Sequence, residues 1–400
     1  MSHILGIWEL GDDLGHLHRL AELASALTTR GHQVSLIVKD LSRAEMFFRE
    51  SAVRIYQAPV WIHRPSSPRL TKTMADILAY KGYGEVDGLM ALVKAWRALL
   101  DLLQPDLMVF DFAPTAMLAA GDSHVAKIIF SSSFSSPTPG VSGVDLCPWV
   151  PVKPEAVDQA EQFVVGNINT VARQQALPPV RFVGDLFRGA ETFLADLPLF
   201  DMYGDVRKNA TYTGPPRASS SFQTCDWGNA PGKKIFAYLK PGRPHVDTAL
   251  HILAHSQANV RVYYPGKLPA ALQGRQSTNF KVSDKPFELT DVMNTADAVV
   301  SHGGVGVASS SLLSGLPLLV LPTHLEQKNN AMQIHQAHLG TWIAQERAKA
   351  ETEKIVQAFV DNTTYSANVS AFAEKNESIS MINAIELVAD ACDRNLDSRA

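Results

Sequence analysis

The sequence is poor in cysteine, lacks a long apolar run and has no excess of basic residues. Its three cysteines lie far apart, at positions 147, 225 and 392, so they give neither a disulfide framework nor the spacing of zinc ligands. No window approaches about 18 uninterrupted apolar residues, which argues against a transmembrane helix. Asp and Glu (40) outnumber Lys and Arg (36), for a formal net charge of −4. Proteins that neutralise nucleic-acid phosphates need a basic excess, so we expect no nucleic-acid partner.

The start of the chain also lacks a targeting signal. The apolar run at residues 4–8 is too short for a signal peptide and has no basic lead-in, so we expect a cytoplasmic protein without membrane insertion. The chain of 400 residues is 46% hydrophobic and 19% charged, as globular proteins are. Its length predicts two or three domains of about 100–200 residues each.

Alternating apolar strands and amphipathic helices predict an α/β fold. In the first half, the predicted strands are residues 4–8, 34–38, 107–110 and 126–130, and the predicted helices are residues 17–27, ended by Gly31, and about 86–103. Consecutive βαβ units imply a parallel sheet with right-handed crossovers.

Gly, Pro and Ser concentrate between residues 214 and 233, a composition typical of a linker. We therefore predict an N-terminal domain over residues 1–214, a linker over 215–232, a C-terminal domain over 233–375 and a C-terminal helix within 376–400. In the C-terminal domain, the predicted strands are residues 235–239, 260–264, 298–301 and 318–321, and the predicted helices are about 246–255 and 305–314. Two such halves predict a cleft at the carboxyl ends of their strands.

The strongest motif is Ser-His-Gly-Gly-Val-Gly-Val-Ala at residues 301–308, between a predicted strand and a predicted helix. Its glycines let the backbone approach a ligand closely, and the start of the helix presents amides that lack a helical partner. Such a turn suits a diphosphate, and His302 adds a donor beside it. A purely structural turn is the alternative for this pattern taken alone.

The stretch from residue 282 to residue 331 resembles the donor signature of inverting glycosyltransferases with the GT-B fold, the UDP-glycosyltransferases and bacterial antibiotic and macrolide enzymes of family 1. At unbroken spacing, the matching residues are Pro286, His302, Gly304, Gly315, Pro317, Pro322, Glu326, Gln327 and Ala331. The resemblance implies two Rossmann-like domains facing each other across a cleft, with the acceptor bound by the first and a nucleoside-diphosphate sugar by the second. It also implies that the last helix can cross back to the first domain.

By this resemblance, His302 and the amides of its turn hold the donor diphosphate, and Glu326 and Gln327 bond the sugar hydroxyls. Residues 281–287 would lie against the base, and Lys240 could bring positive charge to the phosphates, a surface lysine being the alternative. The expected donor-binding residues are Val282, Pro286, His302, Gly303, Gly304, Gly306, Val307, Ser310, Glu326, Gln327 and Lys240.

Three positions depart from the plant members of the family. Asp284 replaces a Trp that stacks on the base, Ser310 replaces a Glu that holds the ribose, and Val307 replaces a hydroxyl residue at the α-phosphate. A dTDP-sugar, whose deoxyribose has no 2′-OH to satisfy, is therefore one hypothesis for the donor. In the other, Ser310 or Ser309 holds the ribose of a UDP-sugar by one weaker bond.

A second segment, Gly-His-Leu-His-Arg at residues 15–19, resembles the Gly-His-x-x-Pro element of the same families, with Arg19 in place of the Pro. There the His is the general base that deprotonates the acceptor, a task that suits imidazole because it titrates near neutrality. His16 takes that place and His18 is the second choice. Asp111, after the strand at 107–110, matches the partner carboxylate, with a helix N-cap as the alternative role.

We expect a small-molecule acceptor with a hydroxyl group, contacted by His18, Phe112 and Phe134. Asp12 and Asp13 argue mildly against a lipid diphosphate as acceptor, because their charges would repel it. Basic residues between positions 62 and 83 suggest an anionic or amphipathic acceptor, with a solvated loop as the alternative: His63, Arg64, Arg69, Lys72 and Lys81.

No Asp-x-Asp pair occurs in the sequence, and we expect neither a metal nor another cofactor, because His302, backbone amides and a helix dipole can stabilise the leaving group. A homodimer is possible. One alternative function is a nucleotide-sugar epimerase or hydrolase on the same fold, against which the Glu326–Gln327 pair and His16 argue. The other is a non-catalytic nucleotide-sugar-binding partner protein, which Ser310 and Val307 keep open.

Overall fold

The chain divides into two units in a computed structural model that describes residues 1–12, 14–49, 51–62, 71–121, 123–217 and 222–398. One unit comprises Met1–Pro216 together with Asn383–Ala400, and the other comprises Arg217–Ile382. The division between them falls two residues into the segment 215–232 that its composition assigns to a linker. Each unit has a parallel sheet flanked by helices, which confirms the predicted α/β class with two Rossmann-like domains.

In the N-terminal unit, the described residues form a seven-stranded parallel sheet in the order β3-β2-β1-β4-β5-β6-β7. Its strands are β1 (His3–Trp8), β2 (Gln33–Val38), β3 (Arg54–Gln57), β4 (Leu107–Asp111), β5 (Ala126–Ser131), β6 (Glu191–Leu194) and β7 (Thr211–Tyr212). Its helices are α1 (Leu14–Thr29), α2 (Glu45–Phe48), α3 (Met74–Leu78), α4 (Val86–Leu103), α5 (Pro114–Ala119) and α6 (Pro154–Gln174), with short helical turns at Leu41–Arg43, Ala79–Tyr83, Val183–Phe187 and Pro198–Phe200.

The strand order brings the functional segments of this unit together. Strand β1 lies between β2 and β4, and its register pairs Trp8 with Asp111. Strand β5 lies on the other side of β4. Because the carboxyl ends of parallel strands meet at one edge, the loops after β1, β4 and β5 share that edge.

The C-terminal unit contains, within the described residues, a six-stranded parallel sheet in the order β10-β9-β8-β11-β12-β13. Its strands are β8 (Lys234–Tyr238), β9 (Asn259–Tyr263), β10 (Phe280–Ser283), β11 (Ala298–Ser301), β12 (Leu318–Val320) and β13 (Gly340–Trp342). Its helices are α7 (Pro244–His255), α8 (Leu289–Thr295), α9 (Val305–Leu313), α10 (Leu325–Gln336), α11 (Lys349–Asp361), α12 (Ser366–Lys375) and α13 (Glu377–Ser380), with a short turn at Ala270–Leu272.

The last helix, α14 (Ala384–Asp397), belongs to the N-terminal unit. Its apolar face completes the core there, with Val388 and Cys392 in one buried cluster with Leu17 of α1. Arg30, at the end of α1, bridges to Asp390 at 2.8 Å and Asp393 at 2.6 Å, and also to Glu386. Burial of an amphipathic face therefore holds α14, and these ion pairs join it to the end of α1.

Every strand predicted from an apolar run is present, with ends that differ by at most one residue. The prediction missed β3, β6, β7, β10 and β13, which have two to four residues each and lie toward the sheet edges. Short strands with partly exposed side chains carry little apolar signal. The three cysteines are buried and free. Among the residues that the structure describes, none of the helices could span a membrane.

Candidate active site

His16 and Asp111 meet at the carboxyl end of the N-terminal sheet. His16 lies in the first turn of α1, and its Nδ1 is 2.9 Å from Oδ2 of Asp111, the last residue of β4. The Asp111 carboxylate is fully buried, and the His16 side chain is 14% exposed. Because the carboxylate accepts the hydrogen bond, Nδ1 carries the proton and Nε2 keeps the basic lone pair.

The imidazole of His16 is held from two further sides. The indole of Trp8, at the end of β1, stacks on it with a centroid distance of 5.2 Å and an angle of 15°. Gly11 has a φ of +85°, and a Cβ at this position would lie 2.5 Å from Nε2 of His16. The glycine therefore leaves room for the nitrogen that could take a proton, in a conformation that other residues adopt only with strain.

Asp111 has two other hydrogen-bond donors. The Ser131 hydroxyl donates to Oδ1 at 2.7 Å, and the Arg19 guanidinium donates to Oδ2, also at 2.7 Å. Burial raises the pKa of Asp111, but the charges of Arg19 and His16 and these hydrogen bonds outweigh it, so the pKa lies below its ordinary value. The N-cap of the following helix is Ala113, so the alternative role of Asp111 as that cap is wrong.

The remaining predicted acceptor residues differ in position. His18 interacts with Glu22, one turn further along α1, at 3.6 Å and lies edge-on to Phe47. It does not share the Asp111 contact of His16. Phe112, with a φ of +46°, lies beside Gly11, but it is only 6% exposed, and Phe134 is 8% exposed. Most of both phenylalanine rings is therefore used in packing.

Glu9 is a buried carboxylate that the sequence analysis gave no role. Its Oε2 accepts hydrogen bonds from the backbone amides of Thr115, at 2.8 Å, and Ala116, at 3.2 Å. Burial raises the pKa of Glu9 to about 7, although these hydrogen bonds lower it. The Tyr83 hydroxyl lies 3.0 Å from the Thr115 hydroxyl. Glu9 thus ties the end of β1 to the start of α5, which begins three residues after Asp111. The signal in the sequence for this role was an acid directly after an apolar strand.

Lys72 does not offer its charge to an acceptor. Its side chain is buried, and Nζ donates to Asp145 Oδ2 at 2.7 Å and to the carbonyls of Cys147 at 2.5 Å and Val150 at 2.7 Å. The inclusion of Lys72 in a basic acceptor loop is therefore wrong, because the ammonium holds the segment 145–150 instead. The other basic residues differ: Lys81 is half-buried, whereas His63, Arg64 and Arg69 lie outside the described residues.

The first loop contains two acids, Asp12 and Asp13. The Asp12 side chain is exposed, and its Oδ1 accepts a hydrogen bond from Lys39 at 2.5 Å. The same ammonium donates to the carbonyl of Gly11 at 2.5 Å. The repulsion expected of Asp12 is therefore partly offset by Lys39. Asp13 lies outside the described residues.

In the C-terminal unit, the glycine turn joins β11 to α9. Gly303 has a φ of +84°, and a Cβ there would lie 2.5 Å from Val320 Cγ1, so glycine is required. The turn is closed by hydrogen bonds from the Gly303 amide to Ser301 Oγ at 3.1 Å and from Asn330 Nδ2 to the Gly303 carbonyl at 2.9 Å. Gly304 at the N-cap has no side chain to bond the first amides of α9. These amides can therefore meet an anion.

His302 lies beside this turn in an aromatic cluster. Its ring is perpendicular to that of Tyr238, with a centroid distance of 4.6 Å, and Tyr238 packs on Tyr263 at 4.8 Å. A Cβ at Gly304 would lie 3.0 Å from His302 Nε2. The three rings lie at the ends of β11, β8 and β9, and Lys240 follows β8 as a half-buried residue. The predicted phosphate site therefore has an aromatic wall.

Glu326 and Gln327 start α10 in different environments. Glu326 is partly exposed, whereas Gln327 is fully buried. Oε1 of Gln327 accepts hydrogen bonds from the amide of Thr323 at 2.8 Å and from its hydroxyl at 2.9 Å. Gln327 thus holds the loop before α10, a contact that the sequence analysis missed.

The predicted donor-binding residues on α9 and near the expected nucleobase site differ in exposure. Gly306, Val307 and Ser310 are partly exposed, whereas Ser309 is fully buried. Of the two serines considered for the ribose, Ser310 alone therefore offers surface. Val282, in β10, and Pro286 are partly buried.

The segment after β10 is held by a residue that the sequence analysis did not single out. Nε2 of Gln223 donates to Ser283 Oγ at 2.6 Å and to the Lys285 carbonyl at 2.7 Å. Phe287 packs edge-on against Phe236 of β8. The segment expected to lie against the base is therefore fixed before any ligand binds.

Comparisons with known proteins agree with this geometry. Residues 279–392 match the family model described as "Erythromycin biosynthesis protein CIII-like, C-terminal domain". The demethyllactenocin mycarosyltransferase of Streptomyces fradiae is 25% identical over 365 residues, which cover 84% of this chain and 75% of that enzyme.

Solved structures share the fold over nearly the whole chain. The glycotransferase of kitacinnamycin matches with a TM-score of 0.69 and 18% identity over 98% of each chain. The Streptomyces sp. SF2575 glycosyltransferase SsfS6, complexed with thymidine diphosphate, matches with a TM-score of 0.64 and 16% identity over 98% of this chain and 100% of that chain. At these identities the likeness establishes the fold.

Proposed function

We propose that the chain is an antibiotic-type glycosyltransferase of family 1, as its matches to such proteins support, and that it transfers a sugar from a nucleoside-diphosphate donor to a hydroxyl group of a small molecule, with His16 as general base. The observation that carries this proposal is the contact of His16 Nδ1 with the buried, ionised Asp111 at 2.9 Å. It leaves Nε2 to take a proton, beside the space that Gly11 keeps open.

The proposed step is a single displacement with inversion. His16 Nε2 accepts the proton of the acceptor hydroxyl as its oxygen attacks the anomeric carbon, and the bond from that carbon to the diphosphate oxygen breaks in line. The electron pair leaves with the nucleoside diphosphate, and Asp111 stabilises the imidazolium that forms. The buried carboxylate supports this role because it has no solvent to compete for its charge.

The glycine turn and His302 suit the leaving diphosphate. The first amides of α9 and the dipole of that helix offer partial positive charge where negative charge develops. We propose on this basis that the reaction needs no metal ion. Removing divalent ions with a chelator should then leave the rate unchanged, and a rate restored only by Mg²⁺ or Mn²⁺ would contradict it.

We propose a dTDP-sugar as donor. Ser310 replaces the glutamate expected to hold both ribose hydroxyls, and Ser309 is fully buried. A deoxyribose lacks one of those hydroxyls. It therefore loses fewer hydrogen bonds than a ribose when a short serine stands in place of the glutamate. Thymidine diphosphate is the ligand in the complex of SsfS6, which shares this fold.

Two measurements test the proposal. Calorimetric titration with dTDP and UDP should show tighter binding of dTDP, and a clear preference for UDP would overturn the choice of donor. A panel of dTDP- and UDP-sugars, followed by an acceptor screen with the best donor, should give a glycoside whose anomeric configuration in NMR is inverted. Release of a free sugar or an epimer alone, in every combination, would contradict transferase activity.

A further inference from the structure

Arg19 shares the Asp111 carboxylate with His16. It follows His16 by three residues on α1, so both side chains project from one face of the helix. Nη1 of Arg19 donates to Oδ2 of Asp111 at 2.7 Å, the same oxygen that His16 Nδ1 contacts at 2.9 Å. Arg19 is nearly fully buried, with its guanidinium 5.7 Å from the centroid of Phe130. A permanent positive charge is thus held beside the proposed base.

A second buried carboxylate, that of Asp196, is close enough to Arg19 for their charges to interact. Asp196, two residues after β6, accepts hydrogen bonds on Oδ2 from the Ser133 amide at 2.8 Å and hydroxyl at 2.7 Å. Burial raises the pKa of Asp196 to about 6, against these hydrogen bonds and the charge of Arg19. Within the described part of the chain, Oδ1 of Asp196 and Nε of Arg19 are buried without hydrogen bonds. An acceptor and a donor of opposite charge therefore remain on these two side chains.

We propose that Arg19, bonded to Asp111 and opposed in charge by the buried Asp196, is a positioning residue whose charge acts on the proton uptake of the His16 imidazole. The inference rests on the proposed function only in giving His16 the part of the base. It concerns a buried residue that stands where the motif has a proline.

The charges on each side determine the direction of the effect. Asp111 favours protonation of His16 because opposite charges attract in a buried site, and the positive charge of Arg19 opposes it. The negative charge of Asp196 partly offsets the positive charge of Arg19, so it favours protonation of His16. The charge of Asp201, which is itself paired with Arg207 at 2.6 Å, also acts on Asp196.

The test is an NMR titration of the imidazole, which needs no substrate. Long-range ¹H–¹⁵N spectra report the protonation and the tautomer of each histidine, and comparison with His16→Gln assigns the His16 signals. In Arg19→Met the midpoint of the His16 titration should rise by about one pH unit, because a buried positive charge is lost. In Arg19→Lys, which keeps the charge, it should stay within a few tenths of a unit. Equal midpoints in Arg19→Met and the wild type would overturn the proposal.

Asp196→Asn gives the opposite sign. It keeps an oxygen for Ser133 but removes the negative charge, so the His16 midpoint should fall by about half a pH unit. Ser131→Ala removes an uncharged donor from Asp111 and should move the midpoint less than Arg19→Met does. A rise of the His16 midpoint in Asp196→Asn would contradict the proposal. This test holds even if Arg19→Met does not fold.

The outcome is separate from that of the proposed function. If His16→Ala retains sugar transfer, His16 is not the base, whatever the titrations show. If His16→Ala loses transfer but the Arg19 and Asp196 variants leave the titration unmoved, the base stands and the role of Arg19 fails.

Discussion

The two candidate sites are built from different parts of the chain. In the N-terminal unit, side chains make the site: one buried carboxylate is contacted by an imidazole at 2.9 Å and by a guanidinium at 2.7 Å. In the C-terminal unit, the backbone makes it: a glycine turn at positive φ and the first amides of α9. Proton transfer needs a group whose charge can change, whereas a diphosphate needs donors that stay in place. Each kind of site should therefore fail in its own way.

The largest effect is expected at Asp111. Asp111→Asn removes the charge that stabilises the imidazolium, so the rate of sugar transfer should fall about 10³-fold, with the affinity for dTDP unchanged. Initial-rate kinetics and calorimetry measure the two quantities. Asp106→Asn is the matched control, because Asp106 precedes the same strand and bonds the His3 amide at the far end. A comparable loss in both variants would contradict the role of Asp111.

A methyl group at Gly303 tests the backbone-built site. Gly303→Ala places a Cβ 2.5 Å from Val320 at a φ of +84°, so it should lower the free energy of unfolding by about 2–4 kcal/mol and weaken dTDP binding. Gly306→Ala is the control, because within the described residues a Cβ there would meet no atom closer than 4 Å. Alanine is favoured inside a helix, so this variant should keep its stability. Thermal unfolding separates the two, and equal stabilities would show that the turn tolerates a side chain.

The smallest effect is a pH dependence of stability at Glu9. Its folded-state pKa of about 7 lies above the ordinary value of 4.5, so the folded state holds the proton more tightly. The contribution of this group to stability is complete below pH 4.5 and is lost as the pH rises through 7. Glu9→Gln keeps an oxygen for the Thr115 and Ala116 amides and removes the charge.

Denaturant unfolding should show that Glu9→Gln gains roughly 1–3 kcal/mol relative to the wild type at pH 8 and much less at pH 5. Glu45→Gln, an exposed position on α2, should differ little from the wild type at either pH. The same difference at both pH values would mean that Glu9 is not protonated in the folded protein near neutrality.

The sequence predicted the parts of this comparison that are local. The strand–turn–helix around Gly303 and the start of α1 at His16 each lie within about ten residues, where apolar runs and glycines carry the signal. It could not predict the partners that come from far along the chain. Ser131 and Arg19 meet at Asp111 only because β1, β4 and β5 are neighbours in the sheet.

Burial was the other quantity that residue types did not reveal. Lys72 is of a residue type that is typical of surface loops, yet its ammonium is buried against Asp145 and two carbonyls. Gln327 matches a sugar-binding position, yet its Oε1 is bonded to Thr323. Such contacts depend on how a loop folds back on itself, which pattern and spacing do not encode.

The central claim is that the base and the donor site are separable. Sugar transfer and dTDP binding measured together on His16→Ala test it most directly. We predict a fall in the transfer rate of about 10²–10⁴-fold with an unchanged Kd for dTDP, while His18→Ala stays near the wild type in both. Transfer that survives in His16→Ala, or a dTDP affinity lost with it, would contradict the account.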